Sequence, residues 1–238
     1  EVLLFDVAPN SLASYYDTWF TDDMDKNLQE HGIETHFCER ATAYKGTEQV
    51  EAIVTDKGEY PVDMVINAIG FIPNTELGRT HLECLANGAY RVDCHQQTSD
   101  PDVYAVGDCA SIYSNALRAE TYIALATNAV RSGIVAGHNV GSTKLDAIGV
   151  QGSNGISIFG YNMVSTGLSV KAAEKNGIKV KYSDFEDLQR PGFMKENAKV
   201  KIRLVYEEDS RRLVGAQMAS TEDISMGIHV FSLAIEEG

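Results

Sequence analysis

TSDPDVYAVGDCA, residues 98–110, is a short apolar run, VYAV, that ends in Gly107-Asp108. Turn-forming residues on both sides of such a run predict a strand over 103–108, buried within a sheet. In α/β folds ligands bind beyond the carboxyl ends of parallel strands, so this strand would carry Asp108 to a ligand-facing edge. There the carboxylate could accept hydrogen bonds from ligand hydroxyls. The plainer alternative is an aspartate that caps the next turn. Downstream, Ile123, Ala126, Val130 and Ile134 recur at helical spacing and predict a helix running to about residue 139. Ala124, Leu125, Ala126 and Thr127 fall at its start, where first-turn amides are free to face an electron-rich ring edge.

Working towards the amino end, DMVINAIGFIPNT spans residues 63–75. Its continuous apolar run predicts a strand over 63–70 covered on both faces. Gly70 would let a ligand approach backbone where a side chain would block it. An ordinary strand and turn is the alternative. Residues 1–6, EVLLFD, read as a buried strand ending in Asp6. In a dinucleotide-binding β-α-β unit an acid at that place accepts hydrogen bonds from the adenosine ribose of NAD and disfavours the 2′-phosphate of NADP. The glycine loop that would confirm it belongs about 20 residues upstream, before this sequence starts. Phe20, Met24 and Leu28 mark the intervening helix, closed at His31-Gly32. Asp56-Lys57-Gly58 predicts a hairpin between 52–55 and 59–61.

Past Leu145 the pattern changes. Residues 149–167 are glycine-spaced and β-like, and 169–176 read as a short helix with Ser169 as N-cap and Gly177 as stop. Val200, Ile202 and Leu204 alternate with Lys201 and Arg203, which predicts a half-buried strand returning as 213–218. Ile224, Ile228, Phe231 and Ile235 form the stripe of a last helix. The domain boundary is placed near 144–149. No internal repeat or low-complexity segment is visible.

The 238 residues carry 20 Lys plus Arg against 34 Asp plus Glu, a formal charge of −14. That balance argues against a nucleic-acid or anionic-membrane binder, which needs clustered positive charge. No apolar run reaches the roughly 18 residues of a membrane span. A strand at residue 1 and a helix that stops at Gly238 suggest part of a longer protein. Cys38, Cys84, Cys94 and Cys109 show no Cys-x-x-Cys pair and no histidine at zinc-finger spacing. They read as buried or half-buried thiols of a reducing cytoplasm, with Cys109 the best placed for a redox role. No metal site is expected.

The VYAVGD segment, the GFIPN segment and the helix TYIALATNAVRSG together resemble the flavin- and NAD-dependent pyridine-nucleotide disulfide oxidoreductases. YYDTWFTDDM, VQGSNGISIFGYNMVSTGLS and SMGIHVFSLAI are most similar to the branch of bacterial water-forming NADH oxidases and NADH peroxidases, with coenzyme A disulfide reductase beside it. The resemblance covers the whole chain. It implies FAD and NADH as cofactors, with Asp6 on the adenosine ribose and Tyr15 against the adenine end. Gly70 corresponds to a backbone contact with NADH and Asp108 to the flavin-ribityl aspartate. Ala124 corresponds to a contact near the nicotinamide, and Ala126, flanked by Leu125 and Thr127, to the flavin ring. Ile72 departs from the family, where Arg is frequent in Gly-x-Arg-Pro-Asn. The redox cysteine and its histidine belong to a family segment that this sequence does not contain. Cys109 does not match that cysteine, and none of the six histidines matches that histidine.

The fold implied is α/β, with partial doubly wound NAD- and FAD-binding domains followed by an α+β antiparallel-sheet dimerisation domain. Residues 1–97 would be the remainder of the NAD domain, 98–145 a carboxyl-terminal piece of the FAD domain, and 146–238 an interface domain truncated at its end. The activity implied is hydride transfer from NADH to FAD, then electron transfer to a cysteine sulfenate and O2, forming water. NADH peroxidase and coenzyme A disulfide reductase are the alternatives, as is a non-catalytic fragment retaining only dimerisation. A cytoplasmic homodimer joined through 146–238 is expected, with no nucleic-acid or membrane partner.

Overall fold

The computed structural model describes residues 1–141 and 143–238. It opens with strand β1 (Val2–Asp6), helix α1 (Thr18–Glu30) and strand β2 (Ile33–Phe37). β1 and β2 pair in parallel, Val2 opposite Ile33 and Asp6 opposite Phe37. Parallel neighbours need a crossover, and α1 provides it. Phe20, Thr21, Met24, Asp25 and Leu28 are the buried residues of α1. They recur at i, i+1, i+4, i+5 and i+8, so they share one face. β1 itself is half-buried to exposed rather than buried. Strands β3 (Ala41–Lys45), β4 (Ala52–Thr55) and β5 (Glu59–Pro61) form an antiparallel sheet, with the expected hairpin between β4 and β5.

Two expected strands do not form. Residues 63–70 join no ladder, and Met64, Ile66 and Ile69 are 74%, 84% and 88% exposed. Residues 103–108 make one isolated bridge, Tyr104 to Gln97, and Gly107–Cys109 is a single turn of 3-10 helix. Apolar composition favours a strand, but inter-strand hydrogen bonds make one, and no described strand lies beside either segment.

A small hairpin, β6 (Ile112–Ser114) and β7 (Ala119–Thr121), precedes helix α2 (Ala126–Val140). α2 starts later than expected. Leu125 is its N-cap, and Ala124 lies before it. Its buried side is Asn128, Ser132, Val135, Ala136 and Asn139, whereas Val130 and Ile134, expected inside, are exposed. The buried polar groups are satisfied on the spot, as such groups must be. Asn128 Nδ2 donates to the Ile123 carbonyl at 3.2 Å, Ser132 Oγ to Ala129 at 2.8 Å and Asn139 Nδ2 to Val135 at 2.9 Å.

The second half is β8 (Asn154–Ile158), β9 (Tyr161–Gly167), helix α3 (Val170–Lys175), β10 (Val180–Leu188), β11 (Lys199–Glu207), β12 (Leu213–Ser220) and helix α4 (Gly227–Glu237). Its five strands pair antiparallel in the order β10-β11-β12-β9-β8. Ser169 caps α3 as expected, its Oγ accepting from Ala172 N at 3.1 Å. Successive strand residues point to opposite faces, and both faces are covered. Val164, Val200, Ala216 and Met218 pack with Ile224 and Ile228 around α4. Met163 and Ala219 pack with Tyr16, Phe20, Met24 and Leu28 on the α1 side. Arg203, expected in water, is therefore buried, because α1 covers its face.

α1 thus joins the two halves. Its N-cap Asp17 is buried and caps nothing with its side chain. Instead Asp17 Oδ2 accepts from Gln217 Nε2 at 2.7 Å and from Val170 N at 3.2 Å, with Arg203 Nη1 at 3.3 Å. The Arg203 guanidinium also grips Asp184 with two bonds of 2.7 Å and lies 4.2 Å from the Tyr182 ring centroid. No described helix is long and apolar enough to cross a membrane.

Candidate functional site

The expected site residues fall into two groups. Asp6 ends β1, half-buried, and its Oδ1 accepts from Ala8 N at 2.8 Å. That bond turns the chain away from the sheet and leaves the carboxylate at the sheet's carboxyl edge, where α/β folds hold ligands. Tyr15 lies on the loop that follows, 49% exposed. Asp25, buried on α1, fixes that loop. Its Oδ1 accepts from Ser11 N at 3.1 Å and Ser11 Oγ at 2.5 Å, and its Oδ2 accepts from Asn10 Nδ2 at 2.9 Å. Sequence pattern gave no sign of Asp25, since an acid on a helix ordinarily faces water.

The second group gathers around Tyr122. Its hydroxyl donates to the Asp108 carbonyl at 2.8 Å, and its ring meets Phe71 edge-on at 6.4 Å between centroids. Tyr122 therefore brings the turn after Gly70, the Gly107-Asp108 turn and the approach to α2 to one place. Burial first, then the Asp108 carboxylate and Cys109, holds its hydroxyl above the usual tyrosine range, so it remains a donor at neutral pH. Gly107 N donates to Ser132 Oγ at 3.0 Å, which seats the aspartate turn against α2. Tyr122 and Ser132 were missed as site residues, although both lie in the quoted TYIALATNAVRSG.

This surface leaves several polar groups open to solvent. Asp108 is exposed, and its side chain has no hydrogen-bond partner among the described residues. α2 begins at Leu125 without a side-chain cap, so the amides of Ala126 and Thr127 point outward with the positive end of the helix dipole. Gly70 has φ +97°, and a Cβ built there meets no atom within 4 Å, leaving open space over its backbone. Ile72, on the same turn, is 86% exposed. No hydrogen bond or ring contact joins Asp6 or Tyr15 to this second group among the described residues.

Two of the four cysteines meet the expectation of burial or half-burial and two do not. Cys38 and Cys94 are exposed, Cys84 and Cys109 half-buried, and all four are free. Cys109 Sγ donates to the Val106 carbonyl at 3.2 Å, a contact that does not activate a thiol.

Comparison with known proteins matches residues 1–133 to the model of the pyridine nucleotide-disulphide oxidoreductases and residues 154–238 to that family's dimerisation domain. A NADH oxidase of Lactococcus lactis subsp. cremoris is 62% identical over 241 aligned positions, covering 100% of this chain and 54% of its own. One of Streptococcus pyogenes is 55% identical, with 100% and 52% covered. The water-forming NADH oxidase of Lactobacillus brevis bound to NADH superposes with a TM-score of 0.95 at 33% identity, over 99% of this chain and 52% of that one. The chain spans about half the length of the curated relatives it matches. A β-α-β unit whose first strand ends in an acid, a glycine-aspartate turn set against a bare helix start and an antiparallel sheet after them in the chain thus have their counterpart in one known family, and the chain belongs to the pyridine nucleotide-disulphide oxidoreductases.

Proposed function

We propose that this chain is part of an FAD-dependent NADH oxidase, in which NADH reduces O2 to water by way of FAD and a cysteine sulfenate outside this sequence. The observation that carries the reading is the convergence of the Gly70 turn, Asp108 and the uncapped start of α2 around Tyr122. The 62% identity to the Lactococcus lactis enzyme supports oxygen as acceptor over peroxide or a disulfide.

In this reading Asp108 accepts hydrogen bonds from the ribityl hydroxyls of FAD, and the amides of Ala126 and Thr127 face the flavin ring, with Leu125 alongside. Ala124 offers its backbone near the nicotinamide. Asp6 accepts from the adenosine ribose of NADH, Tyr15 lies along the adenine, and Gly70 admits the dinucleotide to its backbone. Bound FAD supplies the hydride acceptor and the electron relay. The chain's own residues would orient the two cofactors.

We infer the domain division 1–97, 98–145 and 146–238, with a homodimer formed through the last segment. Support comes from the match of 154–238 to the dimerisation domain. Phe185, Leu188, Ile202, Met218 and Met226 line an open apolar groove there. The exposure of Met64, Ile66, Ile69 and Phe71 favours a second reading for the 238 residues alone, in which only dimerisation is retained.

Flavin absorbance separates the two. The isolated chain is expected to be colourless, and the full-length enzyme yellow with a band near about 450 nm. In the full-length enzyme Asp108→Ala should purify with several-fold less FAD per chain. Wild-type flavin content in that variant would remove Asp108 from the site.

A further inference from the structure

We propose that Cys94, His95 and Asp146 bind one divalent transition-metal ion of the Zn2+ class, with Asp93 holding the histidine ring. One ligand atom from each of the three lies within 4.8 Å of the others. A tetrahedral zinc site with metal–sulfur bonds of about 2.3 Å and metal–nitrogen or metal–oxygen bonds of about 2.0 Å spaces its ligands about 3.3–3.8 Å apart. To reach that spacing the His95–Asp146 pair, at 2.8 Å, must open slightly and any pair near the 4.8 Å limit must close, movements of the size that side-chain rotation supplies. Cys94 and Asp146 are exposed and His95 is half-buried, so water can complete the fourth position.

Two further features make this a built arrangement. His95 Nε2 lies 2.8 Å from Asp146 Oδ1, while its Nδ1 faces Asp93 Oδ2 at 3.5 Å. A carboxylate on the far ring nitrogen is the usual support of a metal-bound histidine, because it fixes the tautomer and the ring plane. Asp93 is itself held, its Oδ1 accepting from His95 N at 2.8 Å and Gln97 N at 2.9 Å. Asp146 is brought over this turn from a distant part of the chain. Ala147 N donates to the Cys94 carbonyl at 2.7 Å and locks the two segments together.

The donor set selects the ion. One thiolate, one imidazole and one carboxylate suit Zn2+ or Co2+, whereas Mg2+ and Ca2+ take oxygen ligands alone. Two ligands sit in the 93–97 turn and the third on the connection between α2 and β8. A bound ion would tie that connection to the nucleotide-facing half. This site is separate from the flavin and NADH residues proposed above, and its test does not depend on activity.

The test is metal counting on the intact full-length protein, stripped with chelator and dialysed against Zn2+ at about 10 µM, with Co2+ as the optical probe. Wild type is expected to hold one more equivalent of Zn2+ than Cys94→Ser, and Asp146→Asn to bind it at least tenfold more weakly. The Co2+ form should show a sulfur-to-metal charge-transfer band that Cys94→Ser abolishes and Cys38→Ser retains. Should Cys94→Ser fail to fold, as judged by far-ultraviolet circular dichroism, His95→Gln and Asp146→Asn carry the comparison. Equal Zn2+ content in wild type and in the folded variants at these positions overturns the proposal, as does no bound Zn2+ in wild type.

Discussion

Residues 63–70 and 199–207 are both rich in apolar side chains, and they end in opposite conditions. The first, DMVINAIG, joins no ladder and leaves Met64, Ile66 and Ile69 in water. The second, KVKIRLVYE, becomes β11, with β10 on one side, β12 on the other and helices over both faces. The more hydrophobic of the two is the one left exposed. Burial depends on what lies next door: a strand needs donors and acceptors at its edge before its apolar faces can be covered. The halves should therefore respond differently to substitution. In 154–238 a changed side chain meets packed neighbours and costs stability. Around Gly70 it meets open space, and on the proposed reading the cost there falls on ligand binding.

The largest effect is expected at Gly215 on β12. A Cβ there would lie 1.8 Å from the Leu168 carbonyl oxygen, which is backbone and cannot rotate away. Gly215→Ala should lose more than about 4 kcal/mol in urea denaturation. A loss below about 1 kcal/mol would show that the sheet yields as easily as the exposed half. Next comes Asp17→Ala, at the joint of the halves. It strips a buried acceptor from Gln217, Val170 and Arg203 and leaves the guanidinium with Asp184 alone. About 3 kcal/mol should be lost, with the halves melting at separate temperatures in calorimetry. A single transition at the wild-type temperature would mean that the joint rests on the apolar contacts of Phe20 and Met24.

Gly70→Ala probes the opposite half. Nothing stands within 4 Å of the new methyl, but φ +97° strains a side-chain-bearing residue. About 1–2 kcal/mol of stability should go. On the role proposed for Gly70, KM for NADH of the full-length protein should rise several-fold more than kcat falls, since the proposed ground-state contact would be blocked. An unchanged KM would place NADH elsewhere.

How much was legible follows from the same contrast. α1, the β4–β5 hairpin, α3 with its Ser169 cap and the β11–β12 return were read correctly. Each depends on local spacing, a cap or a turn. The strands at 63–70 and 103–108 were read from composition and fail for want of neighbours. Arg203 was set in water because alternation assumes one wet face, and α1 coming from the other half covers that face. Asp6, Gly70 and Asp108, whose roles are proposals, stand out in the sequence because each ends an apolar run. Tyr122 and Asp25 were not, since their parts come from contacts across the chain. The same holds for Cys94, His95 and Asp146, which no spacing rule joins.

The smallest effect is expected at Glu207, in the turn between β11 and β12. A hydrogen bond from Arg212 Nη2 at 2.7 Å, with another from the Ser210 hydroxyl, holds its carboxyl below the usual glutamate range. A carboxyl so lowered stabilises the fold above its unfolded pKa of about 4.3, and the contribution disappears as pH falls through the folded value. Glu207→Gln should cost under about 1 kcal/mol at pH 7, because the pair sits at a partly exposed turn. Arg212 also keeps its bonds to the Asn115 and Ala116 carbonyls at 3.3 and 2.9 Å, which hold it in place without the acid. Wild type and variant should therefore converge in denaturation midpoint once pH has fallen below the lowered folded value of Glu207. A gap that survives there cannot come from the charge of Glu207, nor from the arginine's grip on the 115–116 backbone, which both proteins keep, and would mean that the new amide disturbs the turn itself.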